Sequence, residues 1–303
     1  MNILYCGDGN IEQGLTLSLL SLLEHQREPL QVYVLTAGLS WQGKDYRPIS
    51  QNSLRTLEQY VQKRSPESSI SRFDITDLVL ANLPEANMGT RFTPCCMLRL
   101  YADRIPELPG RLLYLDTDVL CRGNLSEFYH QDLGNAELAG VLDYYGRWFF
   151  RNRPLHMDYL NSGVLLLNLA RIRQTGLFAR CLDRCTTKNM FMPDQSAINK
   201  LAEEKIILPR KYNEQRKLKK DTVLQHFTTS FRLFPLFHTV CVKPWDRKGL
   251  HNTLKLHEYD GLLAEFDAYA AQKGRAQTRV LSYPFSLPST TATPPISPWP
   301  CIL

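Results

Sequence analysis

The sequence predicts an α/β fold built on a parallel sheet, on three observations. Ile3-Leu4-Tyr5-Cys6, a glycine-rich turn, leucines at helical spacing and then Gln31-Val32-Tyr33-Val34-Leu35-Thr36 read as strand, turn, helix, strand. That order is a βαβ unit, whose two strands lie parallel. Leu112-Leu113-Tyr114-Leu115 and Val164-Leu165-Leu166-Leu167 are short unbroken apolar runs. Such runs mark strands covered on both faces, as strands are inside a parallel sheet.

Composition fits one compact catalytic or binding unit. At 303 residues, 44% hydrophobic and 22% charged, the chain can bury one large core or two small ones. The net charge of +6 is mild and suits phosphorylated substrates or an anionic surface. Its basic residues are scattered, without the aromatic interleaving of a nucleic-acid binder. MNILYCGDGN runs directly into a strand, so no signal peptide is expected. No apolar run approaches a membrane-spanning length. The eight cysteines show no disulfide or zinc spacing, and reduced thiols in a cytoplasmic protein are expected.

Taken in order, the first strand ends in Gly7-Asp8-Gly9-Asn10, a turn-forming cluster. Leu15, Leu19, Leu22 and Leu23 give the first helix, up to His25. Ligands of parallel sheets bind at the carboxyl ends of strands, which puts Asp8 and Asn10 at a binding edge; Asp8 as a mere helix cap is the other reading. A helix over residues 53–62 and a strand over 71–75 follow. Residues 93–101 read as a helix start carrying Arg99, either a bidentate clamp for a phosphate or for the second acid of the pair that follows, Asp118, or a solvated helix arginine. One strand is expected over residues 112–120, another over 138–142 ending at Asp143, and a third over 164–169. A helix over residues 177–185, with Cys181 and Cys185 one turn apart as core packing, leads to Pro193-Asp194-Gln195. Val223-Leu224-Gln225 reads as a strand with His226 at its carboxyl end. A helix over residues 258–272 presents Leu262, Leu263, Phe266 and Tyr269 on one face, as a core-covering helix does. The domain is expected to span residues 1–272. Residues 273–303, whose last twenty hold six of the chain's 18 prolines, read as a disordered Pro/Ser/Thr-rich tail.

The chemistry centres on Asp116 and Asp118. Side chains on a strand alternate, so two acids two apart on the expected strand face the same way. Buried together they need a positive partner, and a divalent cation with oxygen ligands and room for phosphates answers that need. On its own the pair also fits a solvated strand end.

The ordered set of motifs decides between these. Gly7-Asp8-Gly9-Asn10, Arg99-Leu100, Tyr114-Leu115-Asp116-Thr117-Asp118-Val119-Leu120, Asn161-Ser162-Gly163-Val164-Leu165-Leu166-Leu167-Asn168, Asp194-Gln195, His226-Phe227 and Lys243-Pro244-Trp245 occur in that order over about residues 1–250. Together they resemble the bacterial family 8 glycosyltransferases, the lipopolysaccharide galactosyl- and glucosyltransferases related to glycogenin. The resemblance implies a GT-A fold with a mixed, mainly parallel sheet. It implies a UDP-sugar donor, manganese (with magnesium as the second choice) and a retaining transfer of glucose or galactose to a glycan, glycolipid or glycoprotein acceptor. By the same resemblance Asp8 and Asn10 hold uridine, and Asp116, Asp118 and His226 bind the metal. Lys243 meets the diphosphate, and Arg99, Asp143, Asn161, Asp194 and Gln195 surround the donor sugar. Asp143, Asp194 and Gln195 are the candidate catalytic groups, able to stabilise an oxocarbenium-like sugar. The resemblance also implies a cytoplasmic enzyme with peripheral contact to the inner membrane face.

Two departures from the pattern stand out. Ile11 occupies a position where relatives often carry an aromatic residue, and His238 lies nearer Lys243 than His226 does. His226 is preferred as ligand, because it is expected at the carboxyl end of a buried strand of the same sheet, where such ends converge with those of Asp116 and Asp118, and because a strand end orients an imidazole better than a loop. Rival readings are an Asp-x-Asp phosphohydrolase with Asp116 as nucleophile, for which Leu120 stands where Thr or Val is expected, a non-catalytic sugar-nucleotide-binding protein, and a self-glucosylating initiator.

Overall fold

The computed structural model describes residues 1–89, 94–146, 158–232 and 238–281. The elements run β1 (Asn2–Cys6), α1 (Glu12–His25), β2 (Gln31–Thr36), the hairpin β3 (Leu39–Trp41) and β4 (Lys44–Tyr46), α2 (Gln51–Gln62), β5 (Ser69–Asp74) and α3 (Thr76–Leu80). A 3₁₀ helix, Pro94–Arg104, leads into β6 (Arg111–Leu115), β7 (Val119–Cys121), α4 (Ser126–His130), β8 (Leu138–Leu142) and β9 (Leu160–Asn168). Then come α5 (Leu169–Thr175), α6 (Leu177–Thr187), α7 (Pro193–Leu201), β10 (Lys205–Ile207), β11 (Leu224–His226), the hairpin β12 (Ser230–Arg232) and β13 (His238–Val240), and α8 (Asp260–Leu281).

Seven strands form the central sheet in the order β10-β8-β9-β6-β1-β2-β5. β9 runs antiparallel to both neighbours and the other pairings are parallel. The sheet is therefore mixed and mainly parallel, as expected. Its one reversed strand matters for the site, because the amino end of β9, with Asn161, falls at the same edge as the carboxyl ends of β1, β6, β8 and β10. Successive side chains of a strand go to opposite faces, and both faces are packed. Leu4, Leu112, Tyr114, Leu165 and Leu167 enter one core cluster, and Ile3, Tyr5, Leu113, Leu115 and Leu166 the other. Each fully buried leucine stabilises by about 2 kcal/mol. That double burial explains why these strands read as unbroken apolar runs. Cys181 and Cys185 are buried in the first cluster, as their spacing implied.

Three expectations need correction. The strand over residues 112–120 is broken: β6 stops at Leu115, residues 116–118 form a turn closed by the Val119 N–H on the Asp116 carbonyl at 3.1 Å, and β7 leaves the sheet. A continuous strand would have carried two carboxylates onward between packed layers; at the turn Asp116 stays partly exposed and the buried Asp118 meets Lys243 and His226. β11 likewise lies outside the main sheet, antiparallel to β7, with His226 opposite Val119. His226 thus reaches the acids by direct cross-strand pairing and not by the convergence of parallel strand ends. Finally, α8 continues past Gln272 to Leu281, so residues 273–281 of the expected tail are helical. Good helix formers such as Ala271, Gln272 and Lys273 sustain it, and Lys273 ion-pairs with Glu12 and bonds Ser53. Residues 282–303 lie outside the described residues, as does Thr93 at the expected helix start. Leu262, Leu263 and Tyr269 of α8 are buried, as a core-covering helix requires.

Candidate functional site

The turn between β6 and β7 is pinned at the sheet edge, where the Asp116 N–H donates to the Gly163 carbonyl at 2.8 Å. The β7–β11 ladder then brings His226 Nε2 to 3.2 Å from Asp118 Oδ1 and 3.6 Å from Asp116 Oδ2. One ligating atom from each of the three residues lies within 4.8 Å of the others. Asn161 orients the ring. Its Nδ2 donates to Asp143 Oδ2 at 2.9 Å, and a carboxylate only accepts, so its Oδ1 is the atom 3.1 Å from His226 Nδ1. Gly163 N–H and Asn213 Nδ2 also donate to that oxygen, each at 3.0 Å. The ring therefore presents Nδ1–H to Asn161 and turns Nε2 toward the two acids. This is the arrangement of a metal-ligating histidine with its outer hydrogen bond in place. Two carboxylate oxygens and an imidazole nitrogen, with Asp116 still partly exposed, fit a divalent cation that keeps open positions for phosphate oxygens.

Gly163 is required by this closeness. A Cβ there would lie 2.1 Å from His226 Cε1 and 2.6 Å from Asp116 Oδ2. Gly14 plays a similar part on α1, where a Cβ would lie 2.7 Å from both the Thr117 carbonyl and the Trp245 ring. Bare backbone at this point lets the helix pack against the acidic turn and the Lys243-Pro244-Trp245 segment.

Two cations flank the acids. Lys243 Nζ is 2.5 Å from Asp118 Oδ2 and 3.3 Å from the Phe227 carbonyl. Burial works to raise the Asp118 carboxyl, but Lys243 and His226 beside it hold it well below the usual carboxylate range. Arg99 is buried, which corrects the solvated alternative. Its guanidinium donates to Asp116 Oδ1 at 3.0 Å, to the Ser162 carbonyl at 2.5 Å and to the Cys96 carbonyl at 3.2 Å, and pairs with Asp194 Oδ2 at 3.2 Å. It stacks 3.8 Å from the Tyr114 ring centroid, and the Tyr114 hydroxyl donates to Asp116 Oδ1 at 2.6 Å. The acids it clamps are Asp116 and Asp194, not Asp118, and most of its donors are already engaged by protein groups.

On the β8 side, Asp143 accepts the N–H groups of Tyr145 and Gly146 at 3.0 and 2.6 Å through Oδ1, leaving Oδ2 for Asn161. Gln195 Oε1 accepts from Ser162 N–H at 2.9 Å and Ser162 Oγ at 3.2 Å, and its Nε2 reaches Asp143 Oδ2 at 3.5 Å. Burial raises the Asp194 carboxyl against the opposing pull of Arg99. Asp8, at the carboxyl end of neighbouring β1, is buried and caps a 3₁₀ turn, accepting Asn10 N–H at 3.1 Å and Asn10 Nδ2 at 2.9 Å. The cap and the binding-edge readings of Asp8 are thus compatible. Burial pushes the Cys95 thiol up to about 12, and Cys6 upward too, so neither serves as a thiolate nucleophile.

Of the residues singled out from sequence, Asp116, Asp118, His226, Lys243, Arg99, Asn161, Asp143, Asp194 and Gln195 form one connected hydrogen-bonded cluster. Asp8 and Asn10 share its sheet edge. His238 lies exposed on β13, in register with Arg232, while His226 joins the acids. Tyr114, Ser162, Gly163 and Asn213 were given no role from sequence. The first three sit inside the quoted motifs, and that was the available signal. Asn213 lies in a segment with no pattern of its own and gave none.

Comparison with known proteins gives the family and the fold. The family model described as "Glycosyl transferase family 8" matches residues 2–249. A lipopolysaccharide 1,2-glucosyltransferase of Escherichia coli (strain K12) is 27% identical over 277 residues, 85% of this chain and 76% of that protein. Among solved structures, the galactosyltransferase LgtC in complex with donor and acceptor sugar analogues superposes with a TM-score of 0.63 at 19% identity, over 88% of this chain and 96% of that one. The glycosyltransferase GlyE of Streptococcus pneumoniae TIGR4 gives 0.58 at 18% identity, over 89% and 64%. These likenesses establish the GT-A fold for this chain.

Proposed function

The chain belongs to glycosyl transferase family 8, and on that premise we propose that it moves glucose or galactose from a UDP-sugar to a lipopolysaccharide or related glycan acceptor, with retention of anomeric configuration. The observation that carries this reading is the convergence of Asp116, Asp118 and His226, with Lys243 at 2.5 Å from Asp118, on the carboxyl edge of the sheet. That cluster suits a diphosphate with its cation. Asp116, Asp118 and His226 would hold manganese, for which a mixed oxygen and imidazole set is better suited than for calcium, with magnesium as the second choice. The ion would supply a Lewis acid at the departing diphosphate.

The chain's own groups do the rest. Asp8 and Asn10 hold the uridine at the end of β1. Lys243 neutralises charge as the bond from the sugar's anomeric carbon to the phosphate oxygen breaks and its electron pair leaves with UDP. Asp143 and Asp194 stabilise the positive charge that develops on the sugar. Gln195 contributes a fixed amide dipole. Its oxygen already accepts two hydrogen bonds from Ser162, which disfavours it as a nucleophile. Arg99 holds Asp116 and Asp194 in place, and Asn161 orients His226.

Among the described residues no helix is long and apolar enough to cross a membrane. From the family likeness the reading also includes a cytoplasmic enzyme with peripheral contact to the inner membrane, where a lipid-linked acceptor is presented. The phosphohydrolase alternative is not favoured, since the family match spans the whole acidic site. The test is a UDP-release screen with UDP-glucose, UDP-galactose and UDP-N-acetylglucosamine, with manganese or magnesium and a lipopolysaccharide core oligosaccharide as acceptor. UDP released from a hexose donor supports the reading. Binding without turnover would leave a sugar-nucleotide-binding protein, and phosphate released from simple phosphoesters would favour a hydrolase.

A further inference from the structure

We propose that a basic groove beside the site, formed by Tyr144, Arg210, Glu214, Arg216, Lys217 and Lys219, binds a phosphate substituent of the acceptor glycan. The inference rests on the glycosyl-transfer reading and narrows the acceptor class. The groove encloses about 420 Å³, within the range of pockets that hold a small ligand.

Its position follows from the sheet. Tyr144 directly follows Asp143 at the end of β8, and Arg210 follows β10, the outermost strand. Both lie at the carboxyl edge, on the far side of Asp143 from β1 and Asp8. With the nucleotide at β1 and the transferred sugar near Asp143, the acceptor is left the β8–β10 side. The groove wall is tied to the site by hydrogen bonds. Gln215 Oε1 accepts the Tyr144 N–H at 2.8 Å, Asn213 Nδ2 donates to Asn161 Oδ1 at 3.0 Å, and the His226 N–H donates to the Glu214 carbonyl at 2.9 Å.

Its charge is strongly one-sided. Four cations line it against a single acid, Glu214. That acid is buried and committed to the protein, accepting the Arg216 N–H at 3.0 Å with Lys219 Nζ at 3.7 Å. Among the described residues no carboxylate side chain pairs with the side chains of Arg216 or Lys217. Arg216 is nevertheless held. Its guanidinium lies 4.6 Å from the Tyr144 ring centroid and donates to the Tyr145 hydroxyl, while Arg210 lies 5.7 Å from the same Tyr144 ring. A guanidinium fixed on an aromatic face, with donors to spare and no acid attached, is prepared for a phosphate. The donor's diphosphate does not account for the groove, because that charge is met at Lys243 across the site.

The probes are a lipopolysaccharide core oligosaccharide carrying phosphomonoesters and the same oligosaccharide after its phosphates are removed. Binding to the full chain is measured by calorimetry without donor, and KM by UDP release. The wild type is expected to bind the phosphorylated form about tenfold more tightly, with a preference that shrinks as salt rises. In the Arg216→Ala, Lys217→Ala double variant the ratio should fall to about one, and Arg216→Lys with Lys217→Arg should restore part of it. Equal affinity of the wild type for both forms overturns the proposal, as does a preference that survives in the double variant. Loss of binding to phosphatidylglycerol vesicles with the glycan preference intact would also overturn it, assigning the groove to a membrane surface. If no donor releases UDP, the glycosyl-transfer reading fails on its own, and the calorimetric ratio still tests the groove.

Discussion

Gly163→Ala adds one methyl group to a strand and should disable the site without unfolding the chain. The built Cβ stands 2.1 Å from His226 Cε1, 2.6 Å from Asp116 Oδ2 and 2.8 Å from His226 Nδ1. Ordinary carbon contacts begin well beyond 3 Å, so His226 and Asp116 must each retreat by on the order of 1 Å, a misplacement that costs about a hundredfold in rate. Overpacking of this kind costs about 1–3 kcal/mol of stability, which a chain of this size tolerates. The site has little slack to absorb the shift. His226 is held by Asn161 at 3.1 Å, and Asp116 by Arg99 at 3.0 Å and Tyr114 at 2.6 Å. The assay is calorimetric titration of manganese in the presence of UDP, with UDP release alongside and a thermal melt as the folding control. A drop of about 10–100-fold in manganese affinity, the scale seen when a ligand's support is disturbed, is expected with the melt still cooperative. Affinity and turnover within twofold of wild type would refute the geometric argument.

Four further outcomes are expected. His226→Ala should lose manganese affinity while His238→Ala retains it; a loss confined to His238→Ala in the same titration would show that the ligand is the other histidine. Arg99→Lys keeps the charge but not the fork that reaches Asp116, Asp194 and two carbonyls, and should cost about 3–5 kcal/mol in chemical denaturation; an unchanged midpoint contradicts the buried-clamp assignment. Asn161→Ala strips the orienting acceptor from His226 and should weaken manganese binding about tenfold or more, read by the same calorimetry against an unaltered affinity as the contrary result. The first product from an α-linked donor should be α-linked by NMR; a β-linked product would remove the retaining mechanism and the role given to Gln195.

The sheet was legible because its strands are buried on both faces. β1, β2, β6, β8 and β9 each show an unbroken apolar stretch. The break at residues 116–118 was not legible, since the residues on either side are equally apolar. β10 and β11 are three residues each, too short for periodicity to speak. The site fared better than its geometry. Asp116, Asp118, His226 and Lys243 were nameable from motif order, yet the preference for His226 came from an assumed strand of the main sheet, and the structure brings the ring in through a separate ladder with β7. Arg99 gave no sequence sign of being buried, because its partners Asp116, Ser162 and Asp194 come from distant parts of the chain. Asn213 was invisible for the same reason.

The central claim is that Asp116, Asp118 and His226 hold the cation at which UDP departs. The most direct measurement is the rate of UDP release from the preferred UDP-hexose against manganese concentration, in the wild type and in Asp118→Asn. Saturable activation that is abolished by a chelator, with a loss on the order of a hundredfold or more in the variant, is the expected result. A rate indifferent to the chelator, or an Asp118→Asn variant that turns over as fast as wild type, would contradict it.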